Sequence, residues 1–187
     1  MMDAARYAAG ETFEEFIARA VKYQDLWTLG ARRATVPADV VERLAVVREP
    51  VRLAVLNEDW CLDAIGVVPY AAKLAEENAM IELRNFGRDA NADLMDAHLT
   101  NGGRSIPALI AYDAQWREIG WWGPRPSPLQ TWVLSEGIAM PSDEKYREIR
   151  KWYARDHGAT ALREIADMIL AGLSTRESTG GRPISPS

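Results

Sequence analysis

The run Val51-Arg52-Leu53-Ala54-Val55-Leu56 constrains the fold of this chain more than any other segment. Apolar side chains stand at both odd and even positions, so both faces of a strand formed here must be covered. Such a strand lies inside a sheet with helices packed on each side. With 48% hydrophobic residues in 187, the chain has enough apolar surface to build that core. The segment therefore predicts an α/β fold with three layers.

Three further strands follow along the chain. Residues 80–86 alternate between apolar and polar side chains, which is typical of a strand. Residues 107–112 predict a third strand and residues 116–121 a fourth, joined by a hairpin turn at Asp113-Ala114. Helical segments follow the first strand and the second. The order therefore predicts a four-stranded mixed sheet with helices on both faces.

Helical segments extend the chain beyond the sheet at both ends. Thr12 and Glu15 have the spacing of a capping box at the start of a helix that continues to Trp27, and Pro37 begins a second helix. The expected divisions are an N-terminal helical extension over residues 1–50, a core over 51–140, one long C-terminal helix packed on the core over 141–173, and a disordered tail over 174–187.

Composition excludes several classes of protein. A net charge of −5 argues against a phosphate-binding face for nucleic acid. No stretch of about 18 apolar residues predicts a membrane span, and the first residues lack the pattern of a secretory signal. The single cysteine excludes an intramolecular disulfide, and two histidines argue against a zinc cage. We therefore expect a protein of the reducing cytoplasm.

A cysteine follows the buried strand. A helix predicted over residues 61–78, kinked at Pro69, begins at Cys61. Backbone amides and the positive end of a helix stabilise a thiolate, so this position favours a reactive thiol.

A second element lies at Arg104-Ser105-Ile106-Pro107, where a proline opens the third strand. A cis bond at this proline would leave the Ile106 backbone available to an extended ligand.

The two elements together resemble the thioredoxin-fold family. Trp60-Cys61-Leu62-Asp63-Ala64 resembles its W-C-G-P-C active-site motif, and Arg104 to Pro107 resembles the R-x-I-P element that holds its cis-proline. Pro69 stands eight residues after Cys61, as does the family's helix-kinking proline. The resemblance covers about residues 51–137 and is closest to a thioredoxin-like branch with a W-C-x-D-A motif. It implies catalytic roles for Cys61, Trp60 and Asp63, and substrate binding by Ser105, Ile106 and Pro107.

Departures from the family pattern change the expected chemistry. Ala64 occupies the position of the resolving cysteine, and Val55 that of the buried acid. The resemblance therefore does not extend to dithiol reductase activity. Asp63 replaces the motif proline, and a carboxylate aimed at the sulfur raises the thiol pKa. The positive end of the helix acts in the opposite direction. We therefore expect an intermediate pKa and a still reactive thiol at Cys61.

Two functions from different classes remain at this point. The first is a monothiol oxidoreductase, in which Cys61 exchanges with a protein or small-molecule thiol or disulfide and an external thiol such as glutathione resolves the product. The alternative is a non-catalytic binding or scaffold module that uses the cis-proline groove. A weaker third is a metal or cluster shared by two protomers with glutathione, since one cysteine cannot supply a cage alone. A homodimer is also compatible with the aromatic stripe of the last helix.

Other residues have an ordinary structural interpretation. We expect Arg125 in a surface ion pair, Glu58 and Asp59 as solvated loop acids, and His98 on a polar helix face. Of the neighbours Trp121 and Trp122, one should belong to the core.

Overall fold

The structure is a computed structural model that describes the backbone of residues 1–180 and the side chains of residues 1–176. Within that part of the chain four strands form one sheet: β1 Val51–Asn57, β2 Ile81–Gly87, β3 Ala108–Tyr112 and β4 Glu118–Trp122. The α-helices of the same part are α1 Ala4–Ala8, α2 Phe13–Arg19, α3 Gln24–Arg33, α4 Ala38–Leu44, α5 Leu62–Ile65, α6 Val68–Glu77, α7 Ala92–Ala97, α8 Ser127–Leu134, α9 Ser142–Asp156 and α10 Ala159–Gly180.

The sheet has the strand order β2-β1-β3-β4. β1 pairs in parallel with β2 and antiparallel with β3, and β3 pairs antiparallel with β4. The predicted mixed sheet with helices on both faces is confirmed. Arg52, the one charged residue of β1, is partly exposed and places its guanidinium 4.2 Å from the centre of the Trp116 ring. The strand therefore tolerates this charge without burying it.

The β3–β4 turn is wider than the predicted hairpin. The Asp113 carboxylate accepts hydrogen bonds from the backbone amides of Gln115 and Arg117, both at 2.9 Å. These bonds hold residues 113–117 as a turn, so β4 begins two residues later than the alternation indicates.

The N-terminal helices begin where the sequence predicts but are shorter. The Glu15 amide donates to Thr12 Oγ1 at 3.1 Å and the Thr12 amide to Glu15 Oε2 at 2.8 Å, which confirms the capping box. The predicted continuous helix ends at Arg19, and α3 starts again after Tyr23, whose φ of 54° is left-handed. α2 packs on β2, and α3 packs on α6.

The helix predicted over residues 61–78 is two helices, α5 and α6. Pro69 lies in the first turn of α6, where a missing amide costs nothing, and not inside a kinked helix. Gly66 ends α5, and a Cβ there would lie 2.5 Å from the Tyr153 ring.

The single C-terminal helix expected over residues 141–173 is also divided. His157 and Gly158 adopt φ values of 51° and 72°, so α9 ends at Asp156 and α10 starts at Ala159. A Cβ on residue 158 would lie 2.3 Å from the Tyr70 ring, which only glycine avoids. α10 then packs on β4, α4 and α6.

The predicted disordered tail is wrong over residues 174–180, which continue α10. The remainder, residues 181–187, lies outside the described residues. None of the described helices is long and apolar enough to cross a membrane.

Candidate functional site

Cys61 lies at the N-cap of α5, directly after the turn that follows β1. Its amide donates to the Glu58 carbonyl at 3.1 Å, and its thiol donates to the Ile106 carbonyl, with 3.4 Å between sulfur and oxygen. The Ile106–Pro107 peptide bond is cis. The structure therefore brings together the two elements that the sequence singled out separately.

Burial has the largest effect on the Cys61 thiol. The residue is 8% exposed, and loss of hydration of the thiolate raises the pKa of the thiol to about 11. The Ala64 and Asp63 backbone amides act to lower this pKa, and the Asp63 carboxylate acts to raise it. The helix start was expected to keep the thiol intermediate and reactive. That expectation is wrong, because α5 is only four residues long and burial outweighs its positive end.

Asp63 belongs to a buried ion pair. Arg125 donates Nε to Asp63 Oδ1 at 2.9 Å and Nη2 to Oδ2 at 2.5 Å, and Tyr153 donates its hydroxyl to Oδ1 at 3.1 Å. The Asp63 and Arg125 side chains are 10% and 17% exposed. The prediction of a surface pair for Arg125 is therefore wrong. Asp63 is tied to three partner atoms rather than free to act as a base.

The pair also joins three separate parts of the chain. Arg125 comes from the loop after β4 and donates in addition to Gln130 of α8 at 3.2 Å. Tyr153 comes from α9, ninety residues beyond Asp63. Burial and the Asp63 carboxylate both raise the pKa of the Tyr153 hydroxyl, so it stays protonated and donates. The first turn of α5 is thus held by the C-terminal part of the protein.

The remaining predicted site residues surround the thiol. Trp60 is 45% exposed, and the Arg88 guanidinium lies 5.0 Å from the centre of its ring. Ser105 and Ile106 contribute to the wall beside Cys61. Pro107 is buried behind that wall and does not line it.

Together these residues line an open groove of about 570 Å³. Its lining consists of Trp60, Cys61, Leu62, Asp63, Arg88, Arg104, Ser105, Ile106, Pro124, Arg125, Asp143, Tyr146, Arg147, Ile149, Arg150 and Tyr153. Six of these residues come from α9. The helix therefore forms one wall of the groove, which sequence reasoning did not predict because it assigned the apolar stripe of this helix to the core or a dimer face.

Two residues that the sequence placed on the surface are structural instead. Asp59 accepts hydrogen bonds from the Val21 and Lys22 amides at 2.8 and 2.9 Å. Burial opposes ionisation of Asp59, but these backbone bonds outweigh it and lower the pKa of the carboxyl. His98 is buried, with Nδ1 2.6 Å from the Leu94 carbonyl and Nε2 3.1 Å from Glu118.

The tryptophan pair follows the expectation that one member belongs to the core. Trp122 is buried and donates Nε1 to Glu164 at 2.7 Å, while Trp121 is partly exposed and packs edge-on to His98. Among the described residues no group of three or more His, Cys, Asp or Glu side chains could hold a metal ion.

Comparison with known proteins bears on the fold. No curated protein matches the chain. A crystal structure of a protein of unknown function from Pseudomonas aeruginosa is 21% identical, has a TM-score of 0.72, and is matched over 90% of this chain and 98% of its own. An HIV epitope-scaffold protein is 18% identical, with a TM-score of 0.70 and the same coverage.

A family model described as thioredoxin matches residues 10–146. The match is wider than the resemblance over about residues 51–137, since it includes the N-terminal helices and the first residues of α9. Because it covers most of the chain, this protein belongs to the thioredoxin family that the model describes.

Proposed function

We propose that this protein is a thioredoxin-fold binding protein, whose groove beside Cys61 holds its ligand without forming a covalent bond to it. The observation that carries the proposal is the state of the thiol. Cys61 is 8% exposed, donates to the Ile106 carbonyl, and has a pKa raised to about 11. At neutral pH roughly one molecule in ten thousand would hold the thiolate, which is the nucleophile of disulfide exchange.

The replaced motif residues support the same function. Ala64 cannot release a mixed disulfide, and Val55 cannot accept a proton. Asp63 is engaged by Arg125 and Tyr153. The groove nevertheless keeps an exposed aromatic ring, Trp60, and a volume of about 570 Å³, which lies in the range of small-molecule sites. The resolving cysteine and the buried acid of dithiol chemistry are therefore absent from positions 64 and 55. The groove and the aromatic ring that ligand binding needs are present.

A second candidate is the monothiol oxidoreductase, with glutathione as the resolving thiol. The observation in its favour is that Cys61 lines the groove and that the backbone amides of Ala64 and Asp63 both act to lower its pKa. A partner that exposed the thiol to solvent would remove the burial that now has the largest effect on the Cys61 pKa. In that case the partner is a disulfide of a protein or small molecule.

Mixed-disulfide formation distinguishes the two candidates. Native protein is incubated with glutathione disulfide at pH 7.5, and adducts are followed by intact-mass spectrometry. Chain unfolded in denaturant is the positive control, and Cys61→Ser is the negative control. The binding function predicts no adduct in the native protein over the time in which the unfolded chain is fully modified. Rapid adduct formation in the native state, reversed by glutathione, would replace binding by monothiol exchange.

Binding itself is tested by nuclear magnetic resonance. Ligands of the groove should shift the backbone amides of Asp63, Ser105 and Ile106. A ligand found in this way should bind Cys61→Ser within about twofold of the wild-type affinity, because the sulfur makes no bond to it. Loss of binding in Cys61→Ser would contradict the non-covalent proposal.

We also propose a cytoplasmic location. The chain has one cysteine and therefore no internal disulfide, which is typical of proteins in a reducing compartment. Fractionation of cells that express a tagged chain tests this, and recovery outside the cytoplasm would contradict it.

A further inference from the structure

Arginine side chains dominate the charge of the groove. Five arginines and two aspartates line it, an excess of three positive charges in a chain whose net charge is −5: Arg88, Arg104, Arg125, Arg147 and Arg150 against Asp63 and Asp143. Arg125 and Asp63 neutralise each other in the buried pair. Of the other four arginines, Arg88 and Arg104 pair with carboxylates outside the lining, so the net positive charge of the groove comes mainly from Arg147 and Arg150.

Two of these arginines stand on α9. Arg147 and Arg150 are three residues apart, so they project from the same face of the helix. Both are exposed, and within residues 1–176 neither makes a hydrogen bond or an ion pair. Nothing among these residues offsets their charge by direct contact, and both side chains line the groove together with Ile149 and Tyr146.

The other two come from the segments after β2 and before β3. Arg88 pairs with Asp89, and Arg104 pairs with Asp96 through Nε and Nη2 at 2.7 and 2.8 Å. The Arg104 and Asp96 side chains are about half exposed, at 48% and 51%, and such surface pairs contribute little stability. A ligand anion can therefore bind the same guanidinium groups, either beside these carboxylates or in their place. Arg104 keeps Nη1, which the Asp96 carboxylate does not use.

We propose that the groove binds a small organic anion with at least two acidic groups, either carboxylate or phosphate. This inference rests on the proposed binding function and adds the class of ligand. Guanidinium groups bind oxyanions through paired, charge-assisted hydrogen bonds. Arg147 with Arg150 on α9, and Arg88 with Arg104 on the segments after β2 and before β3, each offer guanidinium donors to one acidic group of the ligand. Ile106 and other apolar wall residues receive its carbon skeleton.

The test uses four probes on the native chain at low ionic strength: citrate, spermidine, myo-inositol, and pyrophosphate, which supplies two phosphate groups without a carbon skeleton. Amide chemical shifts report which probe enters the groove and with what affinity. Citrate, pyrophosphate or both should shift the Asp63, Ser105 and Ile106 amides, and their relative affinities separate carboxylate from phosphate ligands. Affinity should fall as sodium chloride is added, because exposed charges are screened over about 8 Å at 0.15 M salt. Spermidine and myo-inositol should leave these amides unshifted.

Charge variants locate the binding groups. Arg147→Gln with Arg150→Gln should weaken anion binding by about tenfold or more, since each substitution removes a charged hydrogen-bond donor. The matched control is Arg32→Gln with Arg155→Gln, which removes the same charge from exposed positions outside the groove and should change affinity by about twofold or less. Asp143→Asn removes the one unpaired acid of the lining and should tighten anion binding.

The outcomes separate this inference from the binding function. Anion binding that survives the Arg147 and Arg150 substitutions, or that weakens in Asp143→Asn, overturns the inference. If spermidine or myo-inositol shifts the groove amides and the anions do not, the anionic ligand class is wrong while the binding function stands. If no probe shifts them, the anionic class is overturned, and the mixed-disulfide experiment decides the binding function separately.

Discussion

Replacing Arg125 with methionine should destabilise the fold, because it leaves a buried carboxylate without its partner. Asp63 receives two hydrogen bonds from Arg125, at 2.9 and 2.5 Å, and its side chain is only 10% exposed. Breaking a buried ion pair from one side typically costs about 3–5 kcal/mol. The Tyr153 hydroxyl, 3.1 Å from Asp63, remains as one donor, so we expect a loss of about 3 kcal/mol in the free energy of unfolding.

The double variant Asp63→Asn with Arg125→Met separates the charge from the packing. An asparagine at position 63 still accepts a hydrogen bond from Tyr153 but no longer carries a buried charge. The double variant should therefore be more stable than Arg125→Met alone by about 1–2 kcal/mol, although it contains one more substitution.

Guanidinium chloride unfolding followed by tryptophan fluorescence measures the free energy of unfolding of both variants and of wild type. Arg155→Met, at an exposed position of α9, is the matched control and should stay within about 0.5 kcal/mol of wild type. A loss below about 1 kcal/mol in Arg125→Met, or a double variant less stable than that single variant, would refute the argument that the Asp63 charge depends on Arg125.

Further predictions concern the thiol, the N-terminal extension and the contact of α9 with α5. The folded Cys61 pKa of about 11 exceeds the ordinary value of 9.0, so its stabilisation is fully present below pH 9 and is lost as pH rises to 11. Urea unfolding across this range should show wild type losing about 2–3 kcal/mol relative to Cys61→Ser; parallel profiles would contradict it. Asp59→Ala should cost about 1–2 kcal/mol and speed amide hydrogen exchange at residues 21–22, whereas unchanged exchange would mean that Asp59 does not hold the segment between α2 and α3. Gly66→Ala places a Cβ 2.5 Å from the Tyr153 ring and should lower the melting temperature. An unchanged melting temperature would mean that α9 can shift away from α5 at no cost in stability.

The layout of the sheet was predictable because it depends on local patterns. The run from Val51 to Leu56 is apolar on both faces, and its central, buried position in the sheet follows from that alone. The neighbourhood of Cys61 and Ile106 was also predictable, through the family motif that places both around one groove. Neither prediction depends on where the N-terminal and C-terminal helices pack.

The environment of the thiol was not predictable, because it depends on contacts between distant parts of the chain. Tyr153 reaches Asp63 across ninety residues, and nothing in the local pattern of α9 indicates that partner. The same contacts bury the first turn of α5. The prediction weighed the helix start against the Asp63 carboxylate but not burial, which has the largest effect on the Cys61 pKa.

The break between α9 and α10 was not predicted for a different reason. His157 adopts a left-handed conformation that is rare for residues other than glycine, so the break before α10 had only Gly158 as a signal. The helical spacing of apolar residues continues on both sides of Gly158, so it gives no sign of the break. Tertiary packing of Tyr70 against Gly158 decides the break, and this contact is invisible in the local sequence.

The pKa of Cys61 in the native protein tests the central claim most directly. The rate of alkylation by iodoacetamide is measured from pH 6 to pH 12, with the Cys61→Ser variant as the blank and circular dichroism confirming that the chain stays folded at each pH. A buried, protonated thiol in a binding groove predicts an inflection near pH 11 and very slow alkylation at neutral pH. An inflection below about pH 8, with rapid alkylation of the folded protein, would contradict the account and identify Cys61 as a redox-active thiol.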